Sequence, residues 1–374
     1  MSGNFTDYGA MQPQQKYAWG HKAYEEFVEN FFFTKMLGNG HQAIIEHVTE
    51  LTKNSKGEVG AYFHLIPRLT GGGVFGDNQL EGRERTSEAH WQKIEFDQLR
   101  NAIKNKGKLA DQKSVIQFRK TGRPLMANWL ADSWEEQAVL VASGIGFEYN
   151  TDGSVRENPE GQDPWTQLAY ASDVQPPSAN RHFRWDATDG LVAGDTDALA
   201  AVDVPTYDLI PELKAKAAMK RIPPLKVGGK NYYVWLVHEN TMARLYRNAD
   251  FRSSLVGADA RGANHKIFTG ALVTMNGLII QSYARVFSTL GAASGSKWGG
   301  DGTVNGTRSL LLGAQALALA DLGVPEWIEI DKDYENRSGL AIAKMGGWLK
   351  PQFPSSYDGG SVEDFGVMAV DLAL

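Results

Sequence analysis

Two strand-patterned runs, residues 61–69 (AYFHLIPRL) and 91–99 (WQKIEFDQL), bracket a polar, glycine-rich segment and precede a long helical pattern. The second run alternates large apolar residues with polar ones, the period of a strand with one covered face. Between the runs lies GGGVFGDNQLEGRERTSEAH, residues 71–90, too polar to bury and too long for a tight hairpin. Connections of that length without their own structure are uncommon in compact domains, and are usually functional or disordered. The segment reads as an arm that must find another subunit to lie on.

The helical pattern after it spans residues 109–145, on the order of 55 Å at the α-helical rise. Asp111 is a start signal, since an acid is favoured at the positive end of the dipole. Leu125, Trp129, Leu130, Trp134, Ala138 and Val141 place a wide apolar stripe on one side. Gly122-Arg123-Pro124 predicts a kink or short break, because proline lacks the helical donor and disfavours helix just before it. Gly144-Ile145-Gly146 marks the end.

Upstream, Tyr24, Phe27, Val28, Phe31 and Phe32 follow helical spacing, and Ile44, Ile45, Val48 and Leu51 repeat it after Gly38-Asn39-Gly40. Residues 1–57 hold too few apolar side chains in one place to fold alone, so they should dock on the body or on a neighbour. Downstream, residues 148–203 are loop-rich and read as an irregular insertion. A helix is expected over 205–219, with Pro205 in its first turn. Gly228-Gly229 supplies the positive φ angles for a hairpin over 225–237, and His238-Glu239-Asn240 leads into a helix through Leu245 and Tyr246. Strands are expected at 278–287 and 328–331. Residues 308–322 (RSLLLGAQALALADL) read as a strand-to-helix apolar run, and 365–372 as a strand closing a sheet. Strands and helices mix without a regular βαβ repeat, which makes the class α+β.

A length of 374 residues fits two domains or one elaborate one, with 42% hydrophobic and 22% charged residues, ordinary for a soluble chain. No apolar run approaches a membrane span, and the N-terminal residues lack the basic and apolar regions of a signal peptide. The absence of cysteine excludes disulfides, thiolate zinc sites and cysteine nucleophiles. A formal net charge of -6 argues against a nucleic-acid reader, which normally carries a basic stripe.

No catalytic, cofactor-binding or metal-binding residue emerges. His41 and His47 lie six apart on an expected helix and so do not share a face, and there is no HExxH. His238-Glu239 falls where a strand meets a helix, and a structural role is favoured. Residues 331–336 (DKDYEN) resemble a calcium loop superficially, but Asn336 replaces the turn glycine and Ile342 stands where the closing glutamate belongs. The glycines at 71–73 and 299–302 match neither a phosphate loop nor a dinucleotide fingerprint and read as flexible loops. Trp129, Trp134 and Trp235 occupy apolar-patterned elements and read as core. Glu81, Arg83, Glu84, Arg85 and Glu88 intersperse opposite charges along the arm. The bare pattern suits a solvated loop, where such pairs contribute little, as well as a contact arm in which they fix register.

A series of short motifs runs through most of the chain: Pro67-Arg68-Leu69-Thr70, Leu80-Glu81-Gly82-Arg83-Glu84, Asp97-Gln98 with Gly107, and the Trp129-containing helix. Ala179-Asn180-Arg181-His182-Phe183-Arg184-Trp185, Asn231-Tyr232-Tyr233-Val234, residues 264–272 (NHKIFTGAL) and 311–316 (LLGAQA) continue it. In this order and spacing the chain resembles the major capsid proteins of tailed bacteriophages with the HK97-like fold, and most of all the family found in short-tailed phages of the N4 kind.

The resemblance implies an N-terminal arm (1–57), an extended E-loop (58–106) and a peripheral domain (107–204) with spine helix 109–145 and the insertion 148–203. An axial domain (205–326) and a return to the peripheral domain (327–374) complete it. It also implies a structural protein without catalysis or cofactor. Hexamers and pentamers would form an icosahedral shell around packaged double-stranded DNA, held without sequence-specific binding. Portal and scaffolding proteins are the implied partners, with a decoration protein as a further candidate. Assembly in the host cytoplasm and residence in the virion follow, without membrane contact. The net charge of -6 suits simple solubility first, and also a mildly acidic wall that does not stick to the polyanion it encloses; composition does not separate the two. Some relatives weld their shells through an E-loop lysine, but residues 71–90 contain none, and the nearest are Lys56 and Lys93. No covalent cross-linking is therefore expected. A tail or decoration subunit, or an enzyme of unknown class, are the alternative readings.

Overall fold

The computed structural model describes residues 13–48, 61–65, 73–83, 89–113, 118–258, 273–334, 336–355 and 358–374. Its centre is an eight-stranded mixed sheet. Gly306–Leu312 and Val367–Ala373 are buried at every position and pair antiparallel from Gly306 opposite Ala373 to Leu312 opposite Val367. Unalternating apolar runs belong in the middle of a sheet with both faces covered. Lys230–Val237 flanks them on one side, followed by Leu278–Ser282 in parallel and Val273–Met275. His182–Asp186 runs parallel to Val367–Ala373 on the other side and turns back into Gly190–Ala193. Successive side chains feed two cores. Leu310, Leu312, Val367 and Ala369 pack with the long helix, while Leu311, Met368 and Val370 pack with Leu213 and Leu245 of the helices Leu209–Met219 and Glu239–Arg247.

A second, six-stranded sheet is organised by the 13-residue strand Arg337–Leu349. Gly346 pairs with both Asp321 and Asp97, so Leu317–Asp321 and Asp97–Lys104 lie on its opposite edges. Glu326–Lys332 continues along the same edge as Leu317–Asp321, and Ile45–Val48 extends the sheet beyond Leu317–Asp321.

The described parts of the expected long helix are Lys108–Lys113, in whose interior Asp111 falls, and Phe118–Ser143. The second, 26 residues long, is about 39 Å at the α-helical rise. It continues through Pro124 without the expected break. Packing holds the turn before the proline: Gly122 sits against Leu340 and Ile103, and Arg123 binds Glu26 of the N-terminal helix Pro13–Asn30 at 2.5 Å. Leu130, Trp134, Ala138 and Val141 are buried as the stripe requires, but Leu125 is 57% exposed. Every residue from 137 to 143 is buried, so the last turns are core all round rather than amphipathic.

Several expectations are overturned. The run 91–99 splits into His90–Ile94, which pairs with Ala61–Leu65, and Asp97–Lys104, which enters the six-stranded sheet. Gly347 permits the crossing, because a Cβ there would fall on the Glu95 carbonyl oxygen. Residues 44–48 form the strand Ile45–Val48 rather than a helical repeat; Leu51 lies outside the described residues. The run 308–322 is two strands, Gly306–Leu312 and Leu317–Asp321, joined by a turn with Gln315 at φ 55. An apolar run covered on both faces has no period to distinguish strand from helix.

Residues 148–203 are less irregular than expected, since 182–193 supplies two strands of the central sheet. Tyr170, buried, donates to Gln137 on the long helix at 2.8 Å. The helix expected over 205–219 starts at Leu209, with Pro211 rather than Pro205 in its first turn. The strand expected at 278–287 ends at Ser282, and that at 328–331 extends over Glu326–Lys332. Residues 299–302 form a tight turn, Gly302 N donating to Gly299 O at 2.8 Å, rather than a loose loop. The Gly228-Gly229 hairpin stands as read, at φ 58 and 76, and Trp134 and Trp235 are buried.

Candidate assembly surfaces

The arm is rooted in the hairpin of Ala61–Leu65 and His90–Ile94, two strands that pair with nothing else among the described residues. Two strands alone are marginal in water, and this pair is anchored by one face. Ala61, Phe63 and Ile94 are buried against Val48, Ala318, Ala320, Leu349 and Phe353. On the opposite face Tyr62 and Trp91 are exposed and meet edge to face at 5.5 Å. Alternation thus splits the hairpin into an anchored side and an aromatic side open to solvent.

Beyond the hairpin, residues 73–83 are exposed except for half-buried Val74. Their order is local: Arg83 N donates to Leu80 O at 2.9 Å and Asn78 Nδ2 to Phe75 O at 2.6 Å. Gly73, Gly76 and Gly82 take positive φ at the bends. Phe75 is 74% and Leu80 59% exposed. Glu81 and Arg83 are exposed on the same turn, Glu81 accepting from Gln79 Nε2 at 3.5 Å. Glu84, Arg85 and Glu88 lie outside the described residues. Four large apolar or aromatic side chains therefore face water on one projection, the kind of patch that marks an interaction surface.

A second exposed surface escaped the sequence reading. Ile328 and Ile330 are 41% and 52% exposed on Glu326–Lys332. The alternation of EWIEID was the available signal, since Trp327 of the other phase packs toward the main core. The adjoining hairpin tip carries Tyr334, fully exposed, with Asp333 and Tyr334 at positive φ. Asp333 accepts from Asn336 Nδ2 at 3.2 Å and lies 3.7 Å from Arg337 Nε, so the calcium-like sequence is a hairpin turn that satisfies itself.

The body's buried charges are paired and structural. Burial pushes Asp371 up, but Arg308 and His182 together hold it below the usual carboxylate range. Lys350 Nζ lies 3.2 Å from Asp364 Oδ2, both side chains 1% exposed. Burial lowers its pKa against the opposing pull of that carboxylate. Lys344 Nζ donates to Asp321 at 2.8 and 2.9 Å and lies 5.0 Å from the Trp134 ring centroid. Glu135 accepts from Phe32 N at 2.5 Å and from the Tyr283 hydroxyl, tying the segment after the N-terminal helix to the long helix. His238 caps its helix, Nδ1 accepting from Asn240 N at 3.2 Å, and burial lowers its pKa. Among the described residues no group of three or more His, Asp or Glu is placed to hold a metal ion, and no helix is long and apolar enough to cross a membrane.

The architecture is a body with buried ion pairs, a long helix beside a long sheet, and an exposed stretch, 73–83, without a core of its own. Solved phage capsids share this architecture. The capsid of Ralstonia phage GP4 superposes with a TM-score of 0.74 at 23% identity, over 92% of this chain and 90% of that one. The capsid asymmetric unit of cyanophage Pam1 gives 0.72 at 15% identity, over 100% and 99%. The fold is the HK97-like capsid fold. The family model for phage capsid protein matches residues 7–374. The major capsid protein of Pseudomonas phage KPP25 is 39% identical over 376 residues, covering 100% of this chain and 99% of that protein. The chain belongs to the phage capsid protein family. It is a structural protein of the phage head, resident in the capsid of the virion.

Proposed function

We propose that this chain builds the hexamers and pentamers of an icosahedral head, with residues 71–90 laid across a neighbouring subunit. The observation that carries this reading is the exposure of Tyr62, Phe75, Leu80 and Trp91 on a projection that has no core of its own. Burying such side chains contributes about 25 cal/mol per Å² of apolar area, and a neighbouring copy is the surface always at hand. Glu81, Arg83, Glu84, Arg85 and Glu88 then set register rather than supply most of the affinity. The division into N-terminal arm (1–57), E-loop (58–106), peripheral (107–204) and axial (205–326) domains with a returning segment (327–374) fits this role. The head would enclose double-stranded DNA and meet portal and scaffolding proteins, with assembly in the host cytoplasm. No catalysis is assigned to it.

The test is Arg83→Glu combined with Arg85→Glu. The expected outcome is a folded chain, by circular dichroism, that forms few or misshapen shells in negative-stain images. Normal particles from this variant would remove the arm's charges from the assembly mechanism.

A further inference from the structure

Glu326–Lys332 is an edge strand. It pairs in unbroken antiparallel register with one side of Arg337–Leu349, from Glu326 opposite Ala343 to Lys332 opposite Arg337. Among the described residues no strand lies on its other side. In an antiparallel ladder alternate residues aim their N–H and C=O groups away from the partner, so an outer edge is a template for one more strand. Native edges are commonly blunted by proline, by a bulge or by brevity. This one runs seven residues without proline or glycine, and its register holds no bulge.

The side chains specify which strand fits. Glu326, Ile328, Ile330 and Lys332 share one face and are all exposed. Ile328 and Ile330 stand opposite Ala341 and Gly339, which are too small to cover them. Two copies of this strand laid antiparallel about Glu329 set each Ile328 against the second copy's Ile330 and each Glu326 against its Lys332. All four pairs on that face are favourable. Centring the pair on Ile328 or Ile330 instead sets an isoleucine against Glu326 or Lys332, so the strand is complementary to itself in one register. On the other face Trp327 meets Asp331, and Glu329 meets its own kind on the axis. That carboxylate accepts from Trp327 Nε1 at 2.8 Å, which draws it along its own strand. The like charges weaken the pairing, as suits a contact made when many copies are already held together.

We propose that Glu326–Lys332 is a two-fold contact between copies of this chain: two edge strands join antiparallel about Glu329 and run the six-stranded sheets of both subunits into one. Such a contact uses the same surface on both chains and closes on itself, so it does not depend on the arm. Beside a head-to-tail arm contact it supplies what a ring alone lacks, a link from one ring to the next.

The chain has no cysteine, so disulfide trapping tests the contact cleanly. Glu329→Cys brings two thiols together on the axis, and mild oxidation should give a linked dimer on non-reducing gels, from the concentrated unassembled chain and from shells. Met219→Cys, at a position 75% exposed on another element, reads random collision. Adding Ile328→Lys to Glu329→Cys, a change at an exposed site that should leave the circular dichroism unaltered, removes both isoleucine pairs and should cut linking roughly tenfold. Register is read with Glu329 in place. Ile328→Cys and Ile330→Cys chains should link poorly to themselves, because like positions are only diagonal neighbours across the axis, and readily to each other when mixed. Linking of Glu329→Cys no better than Met219→Cys overturns the proposal, as does equal linking of the mixed and unmixed chains. Arg83→Glu with Arg85→Glu should leave linking of the unassembled chain unchanged, so failure of the arm and failure of this contact give different results.

Discussion

The carboxylate of Asp371, fully buried, accepts from Arg308 Nε at 2.8 Å and from Nη2 at 3.1 Å, across the antiparallel pair at the centre of the main sheet. His182 Nε2 meets the same carboxylate at 2.6 Å, and Arg308 Nη1 donates onward to the Ser143 carbonyl at the end of the long helix. Three strands and a helix end thus meet at one ion cluster.

Removing one partner strands a buried charge. Arg308→Met should cost about 3–5 kcal/mol, read as a lower urea midpoint for the unassembled chain at pH 7. The acid dependence has a definite sign. Asp371 lies below its usual range when folded, so its contribution is complete above the unfolded carboxylate value of about 3.9. It is lost as pH falls through the lower, folded value. Asp371→Asn should flatten the stability profile in that acid window.

Lys344 locks the N-terminal helix from beneath. Its ammonium, besides pairing with Asp321, lies 5.8 Å from the Tyr24 ring and 5.5 Å from that of Phe27. Lys344→Met should cost about 1–3 kcal/mol, from lost charge-assisted bonds and cation–π contact. Limited proteolysis should then cut first near the junction at Phe31, ahead of cuts elsewhere in the body.

Gly347 is where the chain leaving the arm crosses the long strand. Gly347→Ala would drive a methyl group into the Glu95 backbone, and overpacking of this kind costs roughly 1–3 kcal/mol or more. A thermal melt should show the loss. Gly323→Ala offers a control, because nothing lies within 4 Å of its Cβ position, although its φ of 98 adds local strain.

Shells of this protein should not be welded. The nearest described lysine to the arm, Lys93, is engaged by Glu95, whose hydrogen bond raises its pKa against a smaller desolvation effect. Particles boiled in SDS should run as a single monomer band. Ladders of linked rings would contradict this.

Elements with a clear period were legible before any coordinates. The Gly228-Gly229 hairpin and the helix from Glu239 lie where turn chemistry and periodicity put them. The strand expected to close a sheet at 365–372 is instead Val367–Ala373, buried at every position in the middle of the central sheet. Residues 71–90 have no period to satisfy, and the described stretch 73–83 is exposed but for half-buried Val74. Legibility failed where burial removes the pattern. Residues 306–321 are apolar on every face, and a helix and two central strands read alike there. It failed also at Pro124, where packing on Glu26, Leu340 and Ile103 outweighs proline's local preference. Of the five charged arm residues, the structure describes two, Glu81 and Arg83, both exposed; Ile328, Ile330 and Tyr334 were not singled out at all.

By itself the sequence determined that residues 71–90 are too polar to form a core, because no alternation or helical spacing there could bury them. It determined the α+β class through the alternation of turn signals and periodic runs. Only the tertiary structure decided which surfaces converge. Ile45–Val48 joins the six-stranded sheet beside Leu317–Asp321, and Arg308 meets Asp371 and His182 through strand register. Such meetings depend on contacts between residues far apart in the chain, which local propensity does not encode.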